Sequence, residues 1–338
     1  MNYEINIKDR SRVVVGDVGV ELERLLPAKR VVVVSDTNLD RYYPSLIGRY
    51  DHILIGQGET SKTLLTLDTI YRRLIELGVD RSTFILAIGG GIVTDVAGFA
   101  ASTYMRGVEF GFVTTSLLGA VDASVGGKNG INVGGFKNMV GTFSQPQFVV
   151  CDASLLATLS VREFRAGVAE IIKTAILGDA ELFEILENNT FDTLRNDNEL
   201  LEDIITRCVR VKAEVVAEDE REGGRRRILN LGHTIAHAIE KSSNKMNHGE
   251  AVAVGLHHIT HSALAQKVIS EGDAKRIFAL IEQYGFDIEL PVERKQLLKA
   301  IEGDKKRRGD ALHVILPTAI GAVEDRVVTF EELHELLQ

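Results

Sequence analysis

The sequence predicts an α/β domain over residues 1–152 and an all-helical domain over residues 153–338. In the first part, short runs rich in β-branched residues alternate with helix-period stretches, which is typical of a partly parallel sheet covered by helices. In the second part almost every segment has the apolar period of an α-helix. A chain of 338 residues is long enough for two such domains.

Individual elements follow from these patterns. The first part has buried strands predicted over Val31–Ser35, His52–Ile55 and Phe84–Ile88, with a helix over Leu64–Leu77. Helices in the second part are predicted over Arg162–Ile176, Glu181–Asn188, Glu199–Ala217, His233–Lys241, Glu250–Val268 and Asp273–Tyr284. The exception is Leu312–Leu316 before Pro317, which is predicted to be a short strand or an extended segment.

Composition excludes several classes of protein. A hydrophobic fraction of 45% with 26% charged residues argues against disorder, and the net charge of −9 argues against nucleic-acid binding. The sequence has neither a leader-like start nor a long apolar run. Cys151 and Cys208 form no metal-binding or disulfide pattern. We therefore expect a cytoplasmic protein that does not bind membranes.

One segment in the second part carries four polar side chains of different chemistry. Arg226, Asn230, His233 and His237 are spaced so that, if the segment is one helix, all four lie on one face within about 60°. Apolar residues between them provide a packing face, so we expect the polar stripe to point into a site.

A run of three glycines, Gly89 to Gly91, stands between a predicted strand and a predicted helix. Glycines let the backbone approach an anion closely, and the helix N-terminus attracts it, so a pyrophosphate fits here; a simple tight turn is the alternative. Asp36, at the end of an earlier strand, is suited to ribose hydroxyls and would favour NAD over NADP. Its alternative role is a helix N-cap.

The glycine-rich segment from Asp122 to Asn138 contains Lys128 and Lys137. We expect this segment to be a long loop, whose flexible backbone and cationic side chains can enclose a phosphorylated substrate. A solvated loop, whose lysines only maintain solubility, is the alternative.

A metal site is the third chemical feature. Glu170 and Lys173 lie one turn apart in an otherwise apolar helix, where a buried carboxylate needs a partner. With His233 and His248, Glu170 makes a Glu/His/His set suited to Zn²⁺ or another divalent first-row ion. Any one of these histidines could instead be an ordinary core residue.

Together these motifs resemble the ordered series found in 3-dehydroquinate synthases, a family of sugar phosphate cyclases. The resemblance runs from about residue 36 to residue 321. The motifs that carry it are Gly58–Lys62, Gly89–Asp95, Thr103–Gly107, Val121–Lys128, Lys137–Met139, Ala169–Lys173 and Asn230–Glu240. It implies a Rossmann-like NAD-binding domain, a helical metal- and substrate-binding domain, bound NAD, one divalent ion (Zn²⁺ or Co²⁺) and a homodimer.

The implied reaction converts 3-deoxy-D-arabino-heptulosonate 7-phosphate to 3-dehydroquinate plus phosphate. It belongs to the shikimate pathway of aromatic amino acid biosynthesis, and the enzyme is a carbon–oxygen lyase. Transient oxidation by NAD permits elimination of phosphate, after which reduction and an intramolecular aldol closure follow. The implied chemistry is redox-neutral overall.

The resemblance also assigns residues to roles. The implied metal ligands are Glu170, His233 and His248. The implied catalytic residues are Lys173, His237, Asp122, Arg226, Asn230 and Lys212. The implied substrate-binding residues are Lys128, Lys137, Asn138, Arg106 (across a dimer interface) and Lys305. The implied NAD-binding residues are Asp36, Asn38, Glu59, Lys62, Gly91, Ile92, Val93, Thr94, Asp95, Thr115, Ser116 and Thr158.

Three other functions remain open at this stage. A relative that cyclises sedoheptulose 7-phosphate would share most motifs, but that substrate has no carboxylate for Arg226 and Asn230 to bind. A metal-dependent alcohol dehydrogenase would release NADH stoichiometrically. A catalytically idle NAD-binding regulator would tolerate changes at Glu170, His233 or His237.

Overall fold

A computed structural model describes residues 3–8, 10–308 and 312–336, without the side chains of residues 303–308 and 335. Its contacts divide the chain into two compact units. Unit 1 comprises Met1–Ser160 and Leu201–Ala217, and unit 2 comprises Val161–Leu200 and Glu218–Gln338. The domain boundary expected at residues 152 and 153 stays a prediction.

Unit 1 is built on a mixed, mostly parallel sheet. The strands of this unit are β1 (Tyr3–Ile7), β2 (Ser11–Val15), β3 (Val31–Asp36), β4 (Asp51–Ile55), β5 (Phe84–Gly89), β6 (Phe110–Thr114), β7 (Lys128–Val133), β8 (Phe136–Phe143) and β9 (Phe148–Cys151). Seven of them form one sheet in the order β1-β2-β9-β6-β5-β3-β4, in which only β1 and β2 pair antiparallel. The predicted strands are confirmed as β3, β4 and β5.

The sheet is buried because its central strands are apolar on both faces. Val33, Leu86, Val113 and Val150, from four neighbouring strands, are completely buried in one core. Burying a side chain of this size contributes roughly 1.5–3 kcal/mol. The helices of unit 1 are α1 (Val18–Leu25), α2 (Thr37–Tyr42), α3 (Pro44–Ile47), α4 (Leu64–Glu76) and α5 (Gly91–Thr103). Helix α4 confirms the prediction over Leu64–Leu77.

The glycine-rich segment is not only a loop. It contains β7 and the first three residues of β8, and these two strands pair as an antiparallel hairpin. A side chain at Gly141 would place its Cβ only 2.1 Å from the carbonyl oxygen of Asn129, so the two strands approach closely because glycine is present. The expectation of a long loop from Asp122 to Asn138 is therefore wrong for its second half.

Unit 2 is helical apart from one hairpin. Its helices are α6 (Val161–Gly178), α7 (Ala180–Glu187), α8 (Phe191–Asn196), α9 (Asn198–Glu218, of which 201–217 belong to unit 1), α10 (His233–Ser242), α11 (His248–Ala265), α12 (Glu271–Gln283), α13 (Arg294–Arg308) and α14 (Phe330–Leu336). All six helices predicted from the sequence are present. The extended segment predicted at Leu312–Leu316 is strand β10 (Leu312–Ala319), which pairs with β11 (Ala322–Val328).

Within the described part of the chain, no helix combines the length and apolar character needed to span a bilayer.

Candidate functional site

The parallel strands of unit 1 bring several predicted residues to one edge of the sheet. Strand β5 pairs with β3 on one side and β6 on the other, while β4 lies beyond β3. The strand order thus reverses between β3 and β5, and ligands of open α/β sheets bind outside the carboxyl ends of strands at such a point. Asp36 ends β3 and Gly90 follows β5, so these two residues flank the expected ligand position.

The turn after β5 has the form of an anion site. Helix α5 begins at Gly91, and no side chain caps its N-terminus. A Cβ at Gly90 would lie 2.9 Å from the Ser116 hydroxyl oxygen, so the two segments are closely packed there. An uncapped helix N-terminus beside a glycine turn offers backbone N–H groups and the positive end of the helix dipole to a phosphate.

Asp36 acts as the N-cap of α2. One carboxylate oxygen accepts hydrogen bonds from the backbone N–H groups of Asn38 at 2.8 Å and Leu39 at 3.0 Å. This is the alternative role considered from the sequence, and the ribose-binding role stays a prediction.

Lys62 is a buried lysine that contacts two other predicted site residues of unit 1. Lys62, which is 5% exposed, forms an ion pair with Asp95 on α5 and donates to the side-chain oxygen of Asn138 on β8 at 2.5 Å. Burial raises the pKa of Asp95, against the opposing effect of the Lys62 ammonium. The cluster links a cofactor candidate on α5 to a substrate candidate on the hairpin.

Asp122 and Lys212 meet in a second charged pair of unit 1. Asp122 lies in the π-helix Gly119–Ala123, and Lys212 lies on the part of α9 that belongs to this unit. The Lys212 ammonium pairs with the Asp122 carboxylate and also donates to its backbone carbonyl at 2.5 Å. Asp122 and Lys212 are ninety positions apart, so the sequence alone did not indicate this pairing.

The other candidates of unit 1 are more dispersed. Lys128 begins β7 and Lys137 lies on β8, both exposed. Arg106 is exposed and has a left-handed backbone conformation, with φ of 70°. The Thr158 hydroxyl lies 3.2 Å from the Tyr43 hydroxyl. Thr115 follows β6 directly, and its backbone N–H bonds to the carbonyl of Gly89 at 3.0 Å.

Unit 2 assembles the predicted metal ligands. Glu170 on α6, His233 on α10 and His248 on α11 place one potential ligand atom each within 4.8 Å of one another. Both imidazole Nε2 atoms approach the same Glu170 oxygen, His248 at 3.1 Å and His233 at 3.5 Å. His233 and His248 are the first residues of α10 and α11, so the N-termini of these two helices position them.

Neighbouring groups orient these three side chains. The Nδ1 atom of His233 lies 3.0 Å from the Leu231 carbonyl oxygen, and that of His248 lies 3.3 Å from a Glu240 carboxylate oxygen. Each imidazole therefore donates through Nδ1 and directs Nε2 toward Glu170, as metal-binding histidines do. Lys173 lies 2.5 Å from the other Glu170 oxygen, with both side chains buried.

The charges in this cluster shift its pKa values. Burial opposes ionisation of Glu170, but Lys173 and the imidazole of His233 outweigh it and hold the pKa of Glu170 well below its usual range. Burial lowers the pKa of His248, yet hydrogen bonds to Glu170 and Glu240 raise it to about 10. An environment that favours a proton there also favours a divalent cation.

The polar stripe does not lie on one helix. Residues Arg225–Asn230 form a 3₁₀ helix, Gly232 has a left-handed conformation with φ of 75°, and α10 begins only at His233. A Cβ at Gly232 would lie 3.0 Å from the backbone nitrogen of Leu256, so this turn is also tightly packed against α11. The conditional expectation of a single face is wrong because Gly232 interrupts the helix.

The polar residues before and after Gly232 have different neighbours. Arg226 is 2% exposed; its backbone N–H bonds to the Asp219 carboxylate at 3.1 Å and its guanidinium to the Glu220 carbonyl. Asn230 donates to the Glu222 carboxylate at 2.6 Å. The His237 ring lies one turn after His233, with 5.4 Å between ring centroids.

Lys305 lies in α13, but its side chain is outside the described part of the chain.

Two residues that contact the candidate site were not assigned from the sequence. Glu240 lies on α10 behind His248, and Asn132 on β7 contacts Glu59 at 2.7 Å. A glutamate two turns after His233 on the same predicted helix was a possible signal for Glu240. Asn132 gave no signal because its segment was expected to be a loop.

Comparison with known proteins gives matches over most of the chain. Family models for the N-terminal and C-terminal parts of 3-dehydroquinate synthase match residues 52–166 and 167–307. The 3-dehydroquinate synthase of Microcystis aeruginosa is 40% identical, with 96% of this chain and 94% of the relative covered. That of Pelobacter propionicus is 41% identical, with 93% and 90% covered.

Solved structures show the same architecture. A 2-epi-5-epi-valiolone synthase from Streptomyces hygroscopicus, with NAD⁺ and Zn²⁺ bound, is 27% identical with a TM-score of 0.87, covering 96% of this chain and 95% of its own. A 2-deoxy-scyllo-inosose synthase complexed with carbaglucose-6-phosphate, NAD⁺ and Co²⁺ is also 27% identical with a TM-score of 0.87, covering 100% and 99%. An iron-containing alcohol dehydrogenase from Corynebacterium glutamicum, 15% identical with a TM-score of 0.64 over 96% and 93%, shares the fold alone.

Proposed function

Because the chain belongs to the 3-dehydroquinate synthase family, we propose that it converts 3-deoxy-D-arabino-heptulosonate 7-phosphate to 3-dehydroquinate and phosphate. This reaction is a step of the shikimate pathway and needs no net oxidant. Elimination of phosphate breaks a carbon–oxygen bond, so the enzyme is a carbon–oxygen lyase.

The observation that carries this proposal is the set of Glu170, His233 and His248, of which Glu170 and His233 are buried and His248 is partly buried. One carboxylate and two imidazoles suit Zn²⁺ or Co²⁺ and leave coordination positions for substrate. When bound, the ion supplies Lewis-acid polarisation of substrate hydroxyl oxygens. Lys173 balances the charge of Glu170, and Glu240 fixes the ring of His248.

Unit 1 provides the groups proposed to hold NAD. The N-terminus of α5 would receive the pyrophosphate, and Asp36, Glu59 and Asp95 would bind or position the rest of the nucleotide. When bound, NAD supplies an acceptor and donor of hydride. The structural relatives crystallised with NAD⁺ support this part of the proposal.

Arg226 and Asn230 are proposed to bind the substrate carboxylate. A guanidinium can hold a carboxylate through two parallel hydrogen bonds, and Asn230 already donates to a carboxylate, that of Glu222. Sedoheptulose 7-phosphate lacks this group, and a site built for a carboxylate loses much when its polar groups are left unpaired. The 40% identity to curated 3-dehydroquinate synthases also supports the carboxylated substrate.

Proton transfer is proposed for His237, with Lys173 and the Asp122–Lys212 pair beside the reacting groups. An imidazole titrates in the range useful for acid–base catalysis. The Asp122–Lys212 ion pair holds both side chains in fixed positions, so each can orient a substrate hydroxyl.

The cationic residues Lys128, Lys137, Arg106 and Lys305, with Asn138, are proposed to bind the phosphate and sugar. Arg106 would act across the interface of a homodimer. Exposed apolar side chains on the edge strand β8 support such an interface, since Phe136, Met139, Val140 and Phe143 are all at least 36% exposed.

We further propose that residues 1–152 form the NAD-binding domain and residues 153–338 the metal- and substrate-binding domain. The cytoplasm is the proposed location, which agrees with Cys151 and Cys208 being buried and not joined by a disulfide bond.

Two other reactions remain testable alternatives. Cyclisation of sedoheptulose 7-phosphate is favoured by the TM-score of 0.87 to a valiolone synthase, although the identity is only 27%. An alcohol dehydrogenase activity is suggested by fold alone.

Phosphate release tests the proposal. We expect release from 3-deoxy-D-arabino-heptulosonate 7-phosphate that requires NAD⁺, stops with a chelator and returns with Zn²⁺ or Co²⁺. Accumulation of NADH in proportion to turnover would instead indicate the dehydrogenase.

The Arg226→Ala variant tests the assignment of the carboxylate-binding residue. We expect its kcat/KM for the carboxylated substrate to fall by about 100-fold or more, with metal content unchanged, because a buried charged contact is lost. Loss of the metal in this variant would show that Arg226 has another role.

A further inference from the structure

Asn132, near the end of β7, makes three hydrogen bonds to two separate segments of unit 1. Its side-chain nitrogen donates to the Glu59 carboxylate at 2.7 Å, and its backbone N–H donates to the Lys62 carbonyl at 2.8 Å. Its side-chain oxygen accepts from the backbone N–H of Asn138 at 2.9 Å. One amide side chain thus contacts the segment after β4 and the start of β8 at the same time.

The two segments have different proposed roles. Glu59 and Lys62 belong to the proposed NAD-binding set, whereas Lys137 and Asn138 belong to the proposed substrate-binding set. Asn138 has a left-handed backbone with φ of 53°, so its conformation depends on surrounding contacts. Those contacts include Lys62, which donates to the Asn138 side chain at 2.5 Å.

We propose that Asn132 is a positioning residue that couples nucleotide binding to the geometry of strand β8 at Asn138. This inference rests on the proposed function, because it uses the roles assigned to Glu59 and Asn138. An amide side chain offers a donor to Glu59 and an acceptor to a backbone N–H from one planar group. When nucleotide fixes Glu59, Asn132 is held in one orientation, and the Asn138 N–H is held with it.

Exchanging the donor and acceptor tests this chemistry. In N132D the Glu59 carboxylate faces a second carboxylate, while the acceptor for Asn138 remains. We expect the Kd for NAD⁺, measured by calorimetry, to rise about tenfold in N132D. In an E59Q background, the amide introduced at position 59 can donate to the carboxylate introduced at position 132. N132D should therefore change the Kd for NAD⁺ by less than twofold in this background.

Hydrogen exchange supplies a readout that requires no turnover. In the wild-type protein we expect saturating NAD⁺ to slow amide exchange in residues 136–143 several-fold. In N132A, still saturated with NAD⁺ and with unchanged circular dichroism, this slowing should disappear. In the same variant, the KM for the sugar phosphate should rise, and kcat should change by a smaller factor than KM.

Asn196→Asp is the matched control, because Asn196 is exposed on α8 and its side-chain nitrogen donates to the Asp192 carbonyl of its own helix at 2.8 Å. It should leave NAD⁺ affinity and hairpin exchange unchanged. Equal NAD⁺-dependent slowing in N132A and the wild type would overturn the coupling. A rise in the Kd for NAD⁺ caused by N132D that is the same with and without E59Q would also overturn it.

Failure of this inference can be separated from failure of the proposed function. Calorimetry and exchange use NAD⁺ alone, without sugar phosphate. A chain that couples NAD⁺ to the hairpin but releases no phosphate would retain the role of Asn132 and lose the proposed reaction. Phosphate release without this coupling would retain the proposed reaction and exclude the role of Asn132.

Discussion

The Lys173→Met substitution separates the stability of the metal site from its affinity for metal. The Lys173 ammonium lies 2.5 Å from a Glu170 oxygen, and the two side chains are 2% and 0% exposed. Methionine has a similar shape but no charge, so the variant leaves a buried carboxylate with one cationic neighbour fewer.

The expected magnitude follows from the burial of this pair. Removing one partner of a buried ion pair costs about 3–5 kcal/mol, whereas an exposed pair contributes about 0–1 kcal/mol. For a unit of this size, each kcal/mol corresponds to about 2–4 °C in Tm, so we expect a loss of roughly 6–20 °C in metal-free protein. Affinity for Zn²⁺ should change in the opposite direction and rise about tenfold, because a cation beside the ligand set has been removed.

Thermal unfolding in the presence of a chelator and competition for Zn²⁺ with a chromophoric chelator measure the two effects. Lys275→Met is the matched control, since Lys275 lies 3.8 Å from Glu271 on α12 with both side chains about 80% exposed. It should shift Tm by less than about 2 °C. A Lys173→Met variant that keeps its stability and binds Zn²⁺ more weakly would refute the electrostatic account of this cluster.

Three further outcomes are expected. Zn²⁺ at 100 times its Kd should add about 2.7 kcal/mol of stability to the metal-free protein, measured by thermal unfolding, and H233A should abolish this gain. A hydrogen bond from Arg162 lowers the pKa of Glu250, so this carboxylate adds stability above its unfolded pKa of about 4.3 that is lost as pH falls through the folded value. E250Q, which keeps the capping geometry, should therefore be less stable than wild type at pH 7, and the difference should shrink as the pH is lowered below about 4.3; a difference independent of pH would contradict this. G232A should cost about 1–3 kcal/mol in chemical denaturation, because Gly232 has φ of 75° and its Cβ position faces the backbone of α11; an unchanged midpoint would show that the turn can relax.

The sequence predicted strands β3, β4 and β5 and seven helices to within a few residues because burial dominates them, whereas β2, β6 and β9 of the same sheet were not predicted. Strand β3 is a run of four valines in a sheet interior, and the long helices of unit 2 repeat apolar residues with a strong 3.6 period. The β7–β8 hairpin was missed because its glycines indicate a loop, although Gly141 is required there by close strand contact. Glycine permits both outcomes, and only the partner strand decides between them.

The clustering of Glu170, His233 and His248, the predicted metal ligands, was also predictable from burial. Glu170 lies in the buried, largely apolar part of α6, so a buried partner was required. The groups around the ligands were harder, because Glu240 approaches His248 only once α10 and α11 have packed together. The Asp122–Lys212 pair likewise depends on tertiary packing that local sequence does not encode.

The reaction itself is tested most directly by analysing products with NAD⁺ far below the substrate concentration. With 3-deoxy-D-arabino-heptulosonate 7-phosphate, Zn²⁺ and this chain, mass spectrometry and phosphate determination should show 3-dehydroquinate and phosphate in equal amounts, with many turnovers per NAD⁺ and no accumulated NADH. Phosphate release from sedoheptulose 7-phosphate alone, or one NADH for each substrate consumed, would contradict the account.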